Sequence, residues 1–185
     1  MENLKPIIFL VPTIALIMVS LLYVSFLKKA TNKKAFNRFF FILTVLGFLL
    51  NFAWELLQMP LYDSTSFKVS HVGFCALGSV ADAIMVLLIY FGLAVVFKSA
   101  FWIYPLKWQR LIIVILIGGI GAILSEMRHL SLGNWAYSDL MPLLPIVKVG
   151  LSPVLQFMIL PSLIYILSFK LLWRVTPSVF SKESL

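Results

Sequence analysis

The chain contains five long runs of apolar residues that hold few charges. We place these runs near residues 6–26, 36–58, 72–97, 108–126 and 151–173. Each is about twice the 9–11 residues that a membrane-spanning strand needs, and close to the roughly 20 residues of a spanning helix. Because lipid offers the backbone no hydrogen bonds, such runs are predicted to be α-helices. The expected fold class is all-α, an integral membrane bundle of five transmembrane helices.

Composition and the absence of internal boundaries support one membrane domain. Hydrophobic residues make up 62% of the chain and charged residues 12%, whereas soluble domains have about 45–50% apolar and about 25% charged residues. The sequence has no internal repeat and no glycine-rich linker that would separate two domains. We therefore expect a single transmembrane domain over residues 1–185, located in the cell membrane as a multi-pass protein, specifically in a bacterial inner membrane.

The distribution of basic residues predicts the orientation of the bundle. Of the 15 lysine and arginine residues, eleven lie in the first loop, in the third loop or around the end of the last span. These eleven are Lys28, Lys29, Lys33, Lys34, Arg38, Lys98, Lys107, Arg110, Lys170, Arg174 and Lys182. Basic residues near span ends stay in the cytoplasm, so we expect the N-terminus outside and the C-terminus in the cytoplasm. The net charge of +8 is thus a topology signal, and no nucleic-acid partner is expected.

Three of the seven acidic residues lie inside or at the rim of the predicted spans: Glu55, Asp82 and Glu126. A carboxylate in the middle of the bilayer costs about 2.5–3.5 kcal/mol on insertion scales. Such residues usually face the interior of the bundle and pair with other polar groups. Packing by interhelical hydrogen bonds is one explanation for each residue alone, and proton chemistry is the other.

Polar residues on the second span form a single stripe. Asn51, Glu55 and Gln58 are spaced four and three residues apart, which places them on one face of a helix, with Trp54 beside them. The residues between them are apolar. One face of this span is therefore predicted to line a polar pocket.

The other spans carry polar residues that we expect to meet that stripe. His71 and Asp82 share a face of the third span, with Asp82 about 16 Å deeper. Glu126 and His129 are helical neighbours at the end of the fourth span, and Gln156 lies near the start of the fifth. All of these positions fall at or open towards the predicted outer side. The convergence predicts an outward-opening polar pocket.

The loop that follows the fourth span is too apolar for an ordinary solvated loop. Between residues 130 and 150 it contains Asn134, Trp135 and Tyr137, and its two prolines break any long helix. The loop either lies in the membrane interface, where aromatic residues are common, or folds back as a lid over the polar pocket. The sequence leaves both alternatives open.

Acid–base chemistry on a lipophilic substrate is the function that this pattern favours. A buried carboxyl group can hold a proton near neutral pH and deliver it to an alkene or epoxide, and aromatic faces can stabilise the carbocation. We expect Glu55, Asp82 and Glu126 to be catalytic. The predicted substrate-binding residues are Asn51, Trp54, Gln58, His71, His129, Asn134, Trp135, Tyr137 and Gln156. The expected partners are the lipophilic small-molecule substrate and membrane lipids.

Two other functions compete with this hypothesis. The spacing Glu126-x-x-His129 occurs in di-iron bundles, but those bundles use two such motifs and this chain has one. We therefore expect neither a metal ligand set nor another cofactor. The second competitor is a non-enzymatic lipid-binding or assembly protein of the membrane.

Several motifs carry a resemblance over residues of about 45 to 160. They read Asn51-x-x-Trp54-Glu55-x-x-Gln58-x-Pro60-Leu61-Tyr62, Gly133-Asn134-Trp135-x-Tyr137 and Gly150-Leu151-Ser152-Pro153-x-x-Gln156. The chain resembles a group of small bacterial membrane proteins with five spans, which implies no activity. More loosely, it is similar to the emopamil-binding sterol isomerases and the integral-membrane terpene cyclases, which are metal-free acid–base catalysts on isoprenoid skeletons. That similarity implies a catalytic role for Glu55, with Asp82 or Glu126 as the second carboxyl group.

Overall fold

A computed structural model describes residues 6–63, 65 and 67–175. Five long helices form the bundle: α1 (Leu10–Lys29), α2 (Lys33–Gln58), α3 (Val69–Val96), α4 (Trp108–Ser131) and α5 (Leu151–Val175). A 3-10 turn at Pro6–Phe9 precedes α1, and another at Met59–Leu61 follows α2. All five helices are long and apolar enough to cross a membrane. The prediction of an all-α bundle with five candidate spans is confirmed, and the chain is a multi-pass membrane protein by this criterion.

The fourth helix is longer than its predicted span. We expected an end near Glu126, because the residues that follow it include charged and polar ones. The helix instead continues to Ser131. Glu126 therefore lies more than a turn inside the helix. Its side chain is 6% exposed, so it has little access to solvent. The helix therefore extends five residues beyond the apolar span predicted near 108–126.

The main core joins α2, α3 and α5 at the end of the bundle that carries the basic loops, here called the basic end. Large aromatic side chains fill it, among them Phe39, Tyr90, Trp102 and Tyr165. The Tyr165 hydroxyl donates to the Val86 carbonyl at 2.7 Å, and the Trp102 indole donates to the Tyr90 carbonyl at 3.1 Å. Since each buried polar atom named here has a partner, this end is a well-packed support for the rest of the bundle.

Helices α4 and α5 approach each other closely at one glycine. Pro161 lies inside α5 and has no N–H, so the Phe157 carbonyl one turn earlier lacks its usual helical donor. A Cβ built on Gly118 would lie 1.9 Å from that carbonyl oxygen. The backbone of α4 therefore packs directly on the exposed carbonyl of α5, a contact that only glycine permits.

Candidate functional site

The polar stripe of α2 meets α3 and α5 in a cluster of two half-buried carboxyl groups and three buried amides. We call Asn51, Glu55, Gln58, Asp82 and Gln156 the carboxyl–amide cluster. Its three amide residues are each at most 3% exposed. The interior of three helices thus holds five polar side chains, which is costly unless they satisfy one another.

Gln156 is the central residue of this cluster. Its Nε2 donates to Asn51 Oδ1 at 2.9 Å and to Asp82 Oδ2 at 3.1 Å, while its Oε1 accepts from Gln58 Nε2 at 3.1 Å. Both amide protons and the oxygen are therefore used. Exchanging the oxygen and nitrogen of this amide would bring oxygen against oxygen and nitrogen against nitrogen, so the network fixes its orientation.

Gln58 and Asn51 extend the network to the second carboxyl group and to the backbone. Gln58 Nε2 donates to Glu55 Oε1 at 2.8 Å, and Gln58 Oε1 accepts from Ser152 Oγ at 2.8 Å. Asn51 Nδ2 donates to the Gly47 carbonyl at 2.7 Å. An amide N–H of α2 thus donates to Glu55, and an amide N–H of α5 donates to Asp82.

The Gln58 and Gln156 amides join the two carboxyl groups of the cluster, Glu55 from α2 and Asp82 from α3, in one hydrogen-bond network. The groups that act on Asp82 are the Gln156 amide and the carboxyl groups of Glu55 and Glu126. Two adjacent carboxylates repel strongly in a medium of low dielectric, and such pairs are stable when they share a proton. Two carboxyl groups placed in this way can hold one proton between them.

Trp54 lies next to the cluster but does not hydrogen-bond within it. The indole packs against the main core, and its N–H is buried without a hydrogen-bond partner among the described residues. Buried indole N–H groups usually find an acceptor.

Glu126 lies in a second group of residues, which we call the loop cluster: Tyr62, Glu126, His129, Asn134, Trp135 and Tyr137. The Trp135 indole donates to Glu126 Oε2 at 3.2 Å, and the Tyr137 hydroxyl donates to the same oxygen. Burial, together with this hydrogen bond, raises the pKa of Tyr137 above its usual range. The hydroxyl therefore stays protonated and keeps its role as a donor to the carboxylate.

The 132–150 loop folds back onto the end of α2. Tyr62 and Tyr137 form an antiparallel bridge, and the Asp63 N–H donates to the Ala136 carbonyl at 2.9 Å. The rings of Tyr62 and Tyr137 lie 5.5 Å apart. The loop therefore packs against the residues that follow α2.

His129 and Asn134 support the loop cluster. Asn134 Nδ2 lies 2.7 Å from His129 Nδ1, and the imidazole stacks on Trp135 with ring centroids 4.2 Å apart. Glu126 and His129 thus both contact Trp135, while Tyr137 donates to Glu126 and Asn134 contacts His129. In the described part of the chain, no group of three or more His, Cys, Asp or Glu side chains is placed to hold a metal ion.

The structure divides the predicted site residues into these two clusters, except Trp54 and His71, which belong to neither. His71 lies half-buried in the first turn of α3, about 16 Å along the helix axis from Asp82. Ser152 and Tyr62 were not among the predicted site residues. The polarity of these two residues did not by itself mark them as site residues. The position of Ser152, one turn from Gln156 on the same helix face, could have identified it.

Comparisons with protein-family models, with curated proteins and with solved structures give no match. The functional interpretation therefore depends on the geometry of the two clusters. The resemblance to sterol isomerases and terpene cyclases stays a prediction.

Replacing Tyr137 by Phe is expected to lower the free energy of unfolding by about 1–2 kcal/mol. The change removes one of the two donors to a buried carboxylate and leaves the ring contacts in place. Unfolding of the purified protein in detergent measures the effect. Tyr23→Phe is the control, because its hydroxyl makes an exposed hydrogen bond to Asn37, and we expect a change below about 0.5 kcal/mol. Equal effects would show that Tyr137 does not stabilise Glu126.

Proposed function

We propose that this chain is a membrane-embedded acid–base enzyme that acts on a lipophilic, isoprenoid-type substrate in the cell membrane. Glu55 and Asp82 are the residues that exchange protons with the substrate. The observation that carries the proposal is the hydrogen-bond network that joins these two carboxyl groups through the Gln58 and Gln156 amides inside the bundle.

The chemistry is a protonation followed by a deprotonation. The protonated member of the pair transfers its proton to a carbon of an alkene, which leaves a carbocation on the neighbouring carbon. A carboxylate then removes a proton from an adjacent carbon, so that the double bond moves and the enzyme regains the proton. The reaction consumes no oxidant, reductant or cofactor, and its net result is isomerisation or ring closure.

The surroundings of the pair suit this reaction. The fixed amides keep each carboxyl group in one orientation. The groups that act most strongly on each carboxyl group are amides and other carboxyl groups, and no basic residue is among them. Trp54 supplies an aromatic surface next to Glu55, and such faces attract cations. Glu126 and the loop above it form the outward end of the proposed pocket and exclude water from the intermediate.

Lipid that copurifies with the protein tests the substrate class. We expect mass spectrometry of an organic extract to show an unsaturated isoprenoid-type lipid enriched at least about tenfold over its fraction in the membrane, because a substrate binds tightly enough to survive mild detergent. The variant Gln156→Leu removes the central amide of the carboxyl–amide cluster. It is expected to reduce this enrichment. An extract with only bulk phospholipid would contradict the proposed substrate class.

A further inference from the structure

An apolar groove runs between α1, α2 and α3, away from the two polar clusters. Its volume is about 550 Å³, and we call it the α1–α3 groove. Representative lining residues are Leu16 and Val24 of α1, Phe40 and Phe48 of α2, and Val80 and Leu87 of α3. From Leu16 to Val24 the groove extends about 12 Å along the helix, which is most of one leaflet of the hydrocarbon core.

The few polar atoms in the groove are already satisfied. Ser20 Oγ donates to the Leu16 carbonyl and Thr44 Oγ1 to the Phe40 carbonyl, both at 2.8 Å. These hydroxyl groups therefore place no demand on an occupant. A ligand that fits the groove is therefore apolar along the whole length of the groove.

Helix α1 is held to the bundle by little protein contact. Within its span only 11% of the residues are buried, compared with 44% in α3. The buried residues of α1 are Ala15 and Val19. An apolar chain in the groove would contact α1 on the side that faces α2 and so complete the packing of this helix.

The groove ends at a group of lysines. Lys28 continues the α1 stripe of Ser20 and Val24 at four-residue spacing, and Lys33 lies one turn before Asn37 on α2. Tyr23 and Asn37 join the two helices here by a hydrogen bond of 3.0 Å. Both lysines are exposed. They therefore lie at the mouth of the groove, at the level where lipid headgroups lie.

The charge at this mouth is positive. Lys29 and Lys34 adjoin the two lysines just named, and the end of α3 adds Lys98. The sequence contains no Asp or Glu between residues 6 and 54. Each basic residue near a membrane surface attracts anionic lipid by about 1 kcal/mol.

We propose that the α1–α3 groove binds one acyl chain of an anionic phospholipid, whose phosphate is held by Lys28 and Lys33. The apolar groove binds the chain, and the lysines select the headgroup. The bound lipid fastens α1 to the bundle. This site is separate from the carboxyl–amide cluster and does not depend on an enzymatic function.

Thermal unfolding of the purified full chain in detergent tests the proposal. Phosphatidylglycerol is expected to raise the Tm by at least about 4 °C, because a ligand that binds only the folded state stabilises it. Phosphatidylcholine with the same acyl chains is expected to give less than about 1 °C. Equal shifts for the two lipids would overturn the proposal, as would an equal shift with glycerol phosphate, which has no acyl chain.

Two variants separate the headgroup from the chain. The double variant Lys28→Gln and Lys33→Gln is expected to lose at least half of the phosphatidylglycerol shift, whereas Lys68→Gln with Lys148→Gln, two exposed lysines at the opposite end of the bundle, retains it. Thr44→Phe fills the groove and is expected to abolish the shift while the lysines remain. A full shift in Thr44→Phe, or an equal loss in both lysine pairs, would contradict the site.

Discussion

Glu55→Gln and Asp82→Asn are each expected to lower turnover by about 10²-fold or more while the protein still folds. An amide preserves the shape of the side chain and much of its hydrogen bonding but cannot exchange a proton with the substrate. General acid or base catalysis contributes 10²–10⁴-fold, which sets the size of the loss. The measurement is the rate of product formation from the copurified lipid, with the free energy of unfolding measured in parallel.

The free energy of unfolding separates catalysis from packing. Interhelical hydrogen bonds in membranes contribute about 0.6 kcal/mol on average and at most about 1.7, so each amide variant is expected to change it by no more than about 1–2 kcal/mol. Asp139→Asn is the control for loss of a carboxyl group, because this residue is exposed in the 132–150 loop, and its activity is expected to stay normal. Fully active Glu55→Gln and Asp82→Asn would leave a lipid-binding or assembly protein as the better interpretation.

Gly118→Ala is expected to destabilise the bundle by at least about 2 kcal/mol. The new Cβ would lie 1.9 Å from the Phe157 carbonyl oxygen and 2.9 Å from its carbon, and both atoms belong to the backbone of α5. Relief therefore requires α4 and α5 to move apart, and overpacking of this kind typically costs 1–3 kcal/mol or more. Thermal unfolding in detergent measures the loss.

Gly121→Ala provides the matched control on the same helix. A Cβ at Gly121 meets nothing within 4 Å, so the variant gains helix propensity of up to about 1 kcal/mol without a clash. The two variants are therefore expected to shift the Tm in opposite directions. If Gly118→Ala were as stable as Gly121→Ala, the close contact at the Phe157 carbonyl would be wrong.

Helix periodicity was sufficient to predict which residues share a face. Asn51, Glu55 and Gln58 line one side of α2, and the structure brings that side to Asp82 and Gln156 as their faces suggested. Span positions followed from hydropathy alone, because the bilayer fixes the length of a helix. The sequence thus predicted the fold and the inner part of the candidate site.

Contacts made by irregular segments could not be predicted in the same way. Glu126 was expected to line the same pocket as Glu55, and periodicity did not predict that its hydrogen-bond partners are Trp135 and Tyr137 from the loop. The path of that loop depends on its bridge to Tyr62, which no periodicity encodes. Likewise, the sequence does not determine which amide donates to which partner. Each amide can donate or accept, so three-dimensional packing decides the direction of each hydrogen bond.

Deuterium exchange between solvent and the copurified lipid tests acid–base chemistry at the Glu55–Asp82 pair most directly. Reversible protonation and deprotonation of a carbon exchange its hydrogen with the solvent, so the lipid bound to the unmodified protein in D₂O is expected to gain mass at the positions beside its double bond. In the Glu55→Gln and Asp82→Asn variants, loaded with the same lipid, the rate of exchange is expected to fall by about 10²-fold or more. No mass gain with the unmodified protein, or an equal gain with both variants, would contradict proton chemistry at this pair.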